Sequence, residues 1–132
     1  MSNFATPQAG MRQALVVEDN PVMRVLLSSM LMHRGFAVSE QSRAEAALDQ
    51  LRQDSFDLVL LDIMLFQMSG IELCHLIREE LGLVDLPVIA CTSHADPVSV
   101  AHMRLAGFND ILQKPVDAQA LDSVLQEIGA LH

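Results

Sequence analysis

Five times along the chain, a short run rich in Val, Leu and Ile gives way to a longer segment with helical spacing. No other feature restricts the fold so tightly. The apolar runs fall at Gln13–Val17, Ala37–Ser39, Leu58–Leu61, Val88–Thr92 and Asp110–Gln113, the length of strands covered on both faces. Each segment between them has its own boundary signals. Asn20 before Pro21 predicts an N-cap and first helical residue, with the helix ending near Gly35. Ser42 with Glu45 three residues on reads as a capping box for a helix to about Gln53. Further helices are predicted over Gly70–Leu81 with Gly82 as the stop, from Asp96 to Gly107, and over Asp117–Ile128. Strict alternation of this kind predicts an α/β three-layer sandwich, a doubly wound parallel sheet of five strands with helices on both faces and right-handed crossovers.

Composition sets the remaining limits. With 132 residues, 51% of them hydrophobic, the chain has room for one well-filled core and no second domain. Residues 1–11 read as a flexible lead-in and 12–132 as the domain. The opening "MSNF" resembles a natural start, whereas the closing "GALH" leaves truncation open. The formal charge is −9, and seven of the eight basic residues are arginines scattered singly, so no cationic face is available for a nucleic-acid backbone. No apolar stretch approaches the roughly 20 residues of a membrane span, and the N-terminus lacks the pattern of a secretory signal. Cys74 and Cys91 stand apart, without CxxC spacing, which predicts reduced core thiols and a cytoplasmic location.

Charge appears where the strands end. In a doubly wound sheet of the flavodoxin-like order 2-1-3-4-5, strands one and three are neighbours, and ligands bind beyond the carboxyl ends of the strands. "LVVEDN" ends the first strand with Glu18 and Asp19, and "LVLLDIMLFQMSG" ends the third with Asp62. Three carboxylates are thereby predicted in one cleft, where each like pair near 4 Å repels by about 1 kcal/mol in water and roughly 4 kcal/mol at an effective dielectric of 20. A hard divalent cation, Mg²⁺, suits such an oxygen-only set. The fourth strand ends on the hydroxyls of Thr92 and Ser93, and the fifth on Lys114, the only lysine. Three carboxylates, one Mg²⁺ and one lysine sum to zero charge, leaving a balanced site for an incoming dianion, and lysine is a point charge suited to a phosphate or phosphoryl oxygen.

These motifs, "LVVEDN", "LVLLDIMLFQMSG", "LPVIACTS" and "DILQKP", together resemble the CheY-like receiver domain of two-component response regulators, from about Arg12 to Ile128. The resemblance implies that Asp62 accepts a phosphoryl group from a phosphohistidine. It also implies that Glu18, Asp19, Asp62 and the backbone carbonyl of Met64 hold Mg²⁺, with Glu18 acting directly or through water. Lys114 binds the phosphoryl group and Thr92 serves as the switch, and the Lys114–Pro115 bond is often cis in such proteins. The implied partners are a sensor histidine kinase or histidine phosphotransfer protein upstream and a protein target downstream, with a phosphorylation-dependent homodimer left open. Such a domain is a signalling switch in a phosphorelay, catalysing only its own phosphorylation and autodephosphorylation.

Some positions depart from the family pattern. Ile111 stands where receivers usually carry a switching aromatic, and Phe66 where many have proline, as either a partner contact or a lid packed onto its own loop. Phe108 reads as a loop aromatic packed on the core in preference to a substitute for that switching aromatic. Met64 and His94 lie two residues after Asp62 and Thr92, positions that in the family tune the access of hydrolytic water. His33, His75 and His102 lack metal-ligand spacing and read as surface or boundary positions. The first helix, with Val22, Val25 and Leu26 beside its core residues, carries more apolar surface than one buried stripe requires, which favours a docking face for the phosphodonor over cover by the lead-in. Two other readings compete: a phosphorylation-independent pseudo-receiver scaffold, and a phosphatase with an aspartyl nucleophile. The phosphatase would need a second acid where Met64 stands.

Overall fold

The structure, a computed structural model, describes residues 10–129, so most of the expected lead-in and the last three residues lie outside the described residues. Five strands alternate with five helices: β1 (Arg12–Val17), α1 (Pro21–Met32), β2 (Phe36–Gln41), α2 (Ala44–Gln53), β3 (Leu58–Asp62), α3 (Gly70–Glu79), β4 (Val88–Thr92), α4 (Pro97–Ala106), β5 (Asp110–Gln113) and α5 (Ala118–Glu127). The strands form one parallel sheet in the order β2-β1-β3-β4-β5, the order anticipated from the alternation.

Residues alternate between the two faces of each strand, and each face fills a separate core. Leu15, Val17, Val59 and Leu61 join Leu48, Leu51, Leu73, Ile77 and Met103 from α2, α3 and α4. Ala14, Val16, Leu58 and Leu60 face Leu27 and Leu31 of α1 and Leu121, Val124 and Leu125 of α5. β3 and β4 are buried along their whole length, which explains their unbroken apolar sequences. Phe108 is buried in the first core, as its sequence context suggested. Both cysteines are buried free thiols.

Helix starts follow the cap signals with one exception. The side chains of Asn20, Ser69, Asp96 and Asp117 accept backbone N–H bonds from Met23, Glu72, Ser99 and Ala120. The capping box at Ser42 does not form. Arg43 is the N-cap of α2 and makes no side-chain cap bond, while Glu45 pairs with the Arg43 guanidinium at 3.3 Å. Burial of Ala44 and Ala47 against the sheet fixes the start of this helix in place of a polar cap. α3 stops at Glu79, short of the anticipated Leu81. The N–H groups of Leu81 and Leu83 turn back to the carbonyls of Leu76 and Ile77, five and six residues away, and Gly82 then redirects the chain at a φ of +68°.

The end of the sheet remote from the acidic residues is held by Arg78. Its guanidinium donates to the carbonyls of Leu83 and Leu86, each at 2.6 Å, to that of Gly107 at 2.7 Å and to Asn109 Oδ1 at 2.8 Å. One side chain thus joins α3, the loop before β4, the end of α4 and the start of β5.

The cap assignments can be tested by urea unfolding. Asn20→Ala is expected to cost about 1 kcal/mol of stability, whereas Ser42→Ala stays within about 0.5 kcal/mol of wild type.

Candidate functional site

The carboxyl ends of β1, β3, β4 and β5 place the charged residues together. Glu18 follows Val17 directly, its N–H donating to the Gln41 carbonyl at 3.0 Å. Asp62 closes β3 opposite Cys91, and Thr92 closes β4 opposite Gln113. Lys114 follows β5, with its N–H donating to the Thr92 carbonyl at 2.8 Å. The Lys114–Pro115 peptide is cis.

Lys114 reaches across the sheet edge to two acids. Its Nζ donates to Glu18 Oε1 at 2.9 Å and to Asp62 Oδ1 at 3.1 Å, while both carboxylates are nearly inaccessible, 1% and 5% exposed. Glu18 Oε2 also accepts the Asn20 N–H at 3.1 Å, and Asp62 Oδ1 the Met64 N–H at 3.1 Å. Asp19 lies exposed at the rim. One carboxylate oxygen from each of Glu18, Asp19 and Asp62 lies within 4.8 Å of the others. Those three carboxylates with a single lysine leave two uncompensated negative charges, so the donor set fits a divalent, oxygen-seeking ion such as Mg²⁺.

Burial shapes the protonation of this cluster. Desolvation raises the pKa of Glu18, and the charge of Asp62 adds to the rise, against the bonds from Lys114 and Asn20. For Lys114 burial acts downward, but the combined bonds to Glu18 and Asp62 prevail and hold the ammonium form above its ordinary range. Cys91, beside Asp62 in register and fully buried, has its thiol pushed up to about 12, mainly by desolvation.

Neighbouring loops complete the setting. The Thr92 hydroxyl accepts the His94 N–H at 3.0 Å and donates weakly to the His94 carbonyl at 3.4 Å, so it is engaged with its own loop. Ile111 is partly buried against the core. Met64 and Phe66 stand out into solvent at 68% and 70% exposure, and neither lies folded onto its loop as a lid. They border an open depression of about 540 Å³ that also takes in Asp19. The loop closes on itself through a bridge between Met64 and Ser69. Behind it, α3 begins so close to β3 that a Cβ on Gly70 would lie 2.3 Å from the Asp62 carbonyl oxygen. Sequence reasoning did not single out this glycine, although its place eight residues after Asp62 and just after the Ser69 cap was visible. His33, His75 and His102 are exposed.

Comparison with known proteins gives a consistent result. Residues 14–126 match the family described as response regulator receiver domain. The chain is 36% identical over 121 residues to the two-component response regulator ARR12 of Arabidopsis thaliana, an alignment covering 90% of this chain and 20% of that protein. It is likewise 36% identical over 130 residues to the sensor histidine kinase AruS of Pseudomonas aeruginosa, covering 95% of this chain and 13% of the kinase. Among solved structures, the receiver domain of a sensor histidine kinase from Pseudomonas aeruginosa PAO1, described with a magnesium ion coordinated in its active site cleft, superposes with a TM-score of 0.81 and 30% identity. That match covers 91% of this chain and 99% of the other. The chain therefore spans a small fraction of these curated relatives.

Two outcomes follow from the geometry. Because the folded-state pKa of Glu18 is raised, this group's contribution is most favourable below its ordinary value of 4.5 and declines as pH rises through the folded value. Without Mg²⁺, the melting temperature of Glu18→Gln minus that of wild type should therefore increase from pH 4 to pH 7, measured by calorimetry. Gly70→Ala should lower stability by about 1–3 kcal/mol through overpacking against the Asp62 backbone, read from the urea midpoint.

Proposed function

The chain belongs to the response regulator receiver family, and from that premise we propose that Asp62 is the residue that takes up the phosphoryl group. The observation carrying this reading is the Lys114 ammonium bridging Asp62 and Glu18. It brings a cation to the side chain that would carry the phosphate. Both protein bonds to Asp62 engage Oδ1, which leaves Oδ2 as the attacking oxygen. In the transfer, the P–N bond of a donor phosphohistidine breaks as the P–O bond to Asp62 forms, and the donor imidazole departs. Lys114 then moves from Asp62 to a phosphoryl oxygen, while its bond to Glu18 keeps it at the site.

Glu18, Asp19, Asp62 and the Met64 carbonyl would hold Mg²⁺, which when bound supplies positive charge to the oxygens of the transferring group. Thr92 is placed to give up its local bonds for a phosphoryl acceptor, coupling the ends of β4 and β5 to the chemistry. With Ile111 in place of the usual aromatic, this coupling runs through the backbone contact between Lys114 and Thr92. Autodephosphorylation would be attack of water on the phosphorus, with the P–O bond to Asp62 breaking to return the carboxylate and release inorganic phosphate, and with Met64 and His94 at the approaches of that water.

The exposed Val22, Val25 and Leu26 on one side of α1 support docking of a histidine kinase or phosphotransfer protein beside the depression at Asp19. Val98 and Leu105 on α4, 65% and 86% exposed, support a face for a downstream target or a second copy. Two free thiols support a cytoplasmic setting; no helix among the described residues is long and apolar enough to cross a membrane. A pure scaffold has no need of Lys114 between two buried acids, and the phosphatase reading lacks its second acid at Met64.

Incubation with acetyl phosphate and Mg²⁺, followed by intact-mass measurement, tests the assignment. Wild type should gain one phosphoryl group, and Asp62→Asn should gain none while keeping its fold, since the change removes like-charge repulsion. An Asp62→Asn adduct at the wild-type level would move the acceptor elsewhere.

A further inference from the structure

The acid-bearing loop between β1 and α1 is held from behind by a residue outside the cluster itself. Arg24, in the second turn of α1, donates from Nη1 to the Glu18 carbonyl at 2.8 Å and, at the limit of a hydrogen bond, to the Asp19 carbonyl at 3.5 Å. Its Nε lies 3.4 Å from Glu40 Oε1 near the end of β2. The Arg24 side chain is 21% exposed; its bond to the Glu18 carbonyl is partly buried, whereas the contacts to the Asp19 carbonyl and Glu40 lie at the surface. Glu18 is thereby fixed from several directions: by the Gln41 carbonyl at its N–H, Arg24 at its carbonyl, and Asn20 and Lys114 at its carboxylate.

We infer that Arg24 is a positioning residue for the metal-binding acids, holding the backbone of Glu18 and Asp19 between α1 and the end of β2 so that both carboxylates point to the shared cleft. This rests on the Mg²⁺ site proposed above. Geometry and charge make opposite predictions here. As a cation near a site for a cation, Arg24 repels Mg²⁺, so a purely electrostatic role requires that its removal tighten binding. As the support of two ligand residues, it must weaken binding when removed, and loss of such outer partners typically lowers metal affinity by about 10- to 100-fold. Glu40 orients the guanidinium and offsets its charge. Lysine offers a point charge in place of the planar fork, so it does not reproduce the fixed spacing of the donors that meet Glu40 and the two carbonyls.

The chain has no Trp or Tyr, so Mg²⁺ binding is best followed by isothermal titration calorimetry and by the Mg²⁺-dependent rise in melting temperature. Arg24→Ala is expected to bind Mg²⁺ about 10-fold or more weakly than wild type. Arg24→Lys should recover part of the loss, and Glu40→Gln should show a smaller loss in the same direction. Affinity unchanged or tightened in Arg24→Ala, with the fold retained, overturns the inference while leaving the metal site intact. If Arg24→Ala does not fold, Arg24→Lys and Glu40→Gln decide alone, and wild-type affinity in both overturns it. Wild-type protein that binds no Mg²⁺ overturns the metal site and this inference together, whereas the acetyl phosphate adduct at Asp62 remains a separate readout.

Discussion

The carboxyl edge of the sheet depends on one ammonium group. Lys114 after β5 holds Glu18 after β1 and Asp62 at the end of β3, reaching past β4 to tie the fifth strand to two strands it does not pair with. Two nearly inaccessible carboxylates would otherwise face each other at a cost the fold would have to absorb elsewhere. Under the proposed function, the same contact that makes the edge tolerable would supply the cation for an incoming anion. Stability and the proposed chemistry would then draw on a single side chain. The residual negative charge that Lys114 leaves is the quantity a divalent ion would meet.

Much of this could be read from the residues in order. Strand and helix alternation was enough for the sheet, because buried parallel strands must be apolar throughout and each helix must return the chain to the same edge. The clustering of Glu18, Asp19, Asp62, Thr92 and Lys114 followed from that topology, since each stands at or just after a strand end. What remained hidden depended on distance in three dimensions. Ser42 and Glu45 satisfy a local pattern, yet burial of Ala44 and Ala47 set the helix start one residue later than a cap at Ser42 allows. Gly70 looked like an ordinary first helical residue until the Asp62 carbonyl appeared against it. Arg24 and Arg78 were two of seven arginines, and nothing near them in sequence announced that their partners would be carbonyl groups on other elements.

The two ends of the sheet are built differently. At the remote end, Arg78 spends its guanidinium on carbonyls and on Asn109, giving a neutral-partnered joint among α3, α4 and β5. At the acidic end, Thr92, Lys114 and Asp62 each hold a partner that, under the proposed function, an arriving phosphoryl group would replace. Stabilising contacts that do not change partners and contacts open to exchange are thus kept at opposite edges, in keeping with the tendency of binding loops to sit on rigid scaffolds.

Cys91 adds a point about selectivity. A thiolate is a stronger nucleophile than a carboxylate, and this sulfur sits beside Asp62 in the adjoining strand. With its thiol pushed up to about 12 by burial, it remains protonated throughout the neutral range. A competing acceptor and an oxidation-prone centre are silenced together, by the same desolvation that packs the strand. In the proposed transfer, Asp62 would then meet no competing thiolate from its neighbour at that edge.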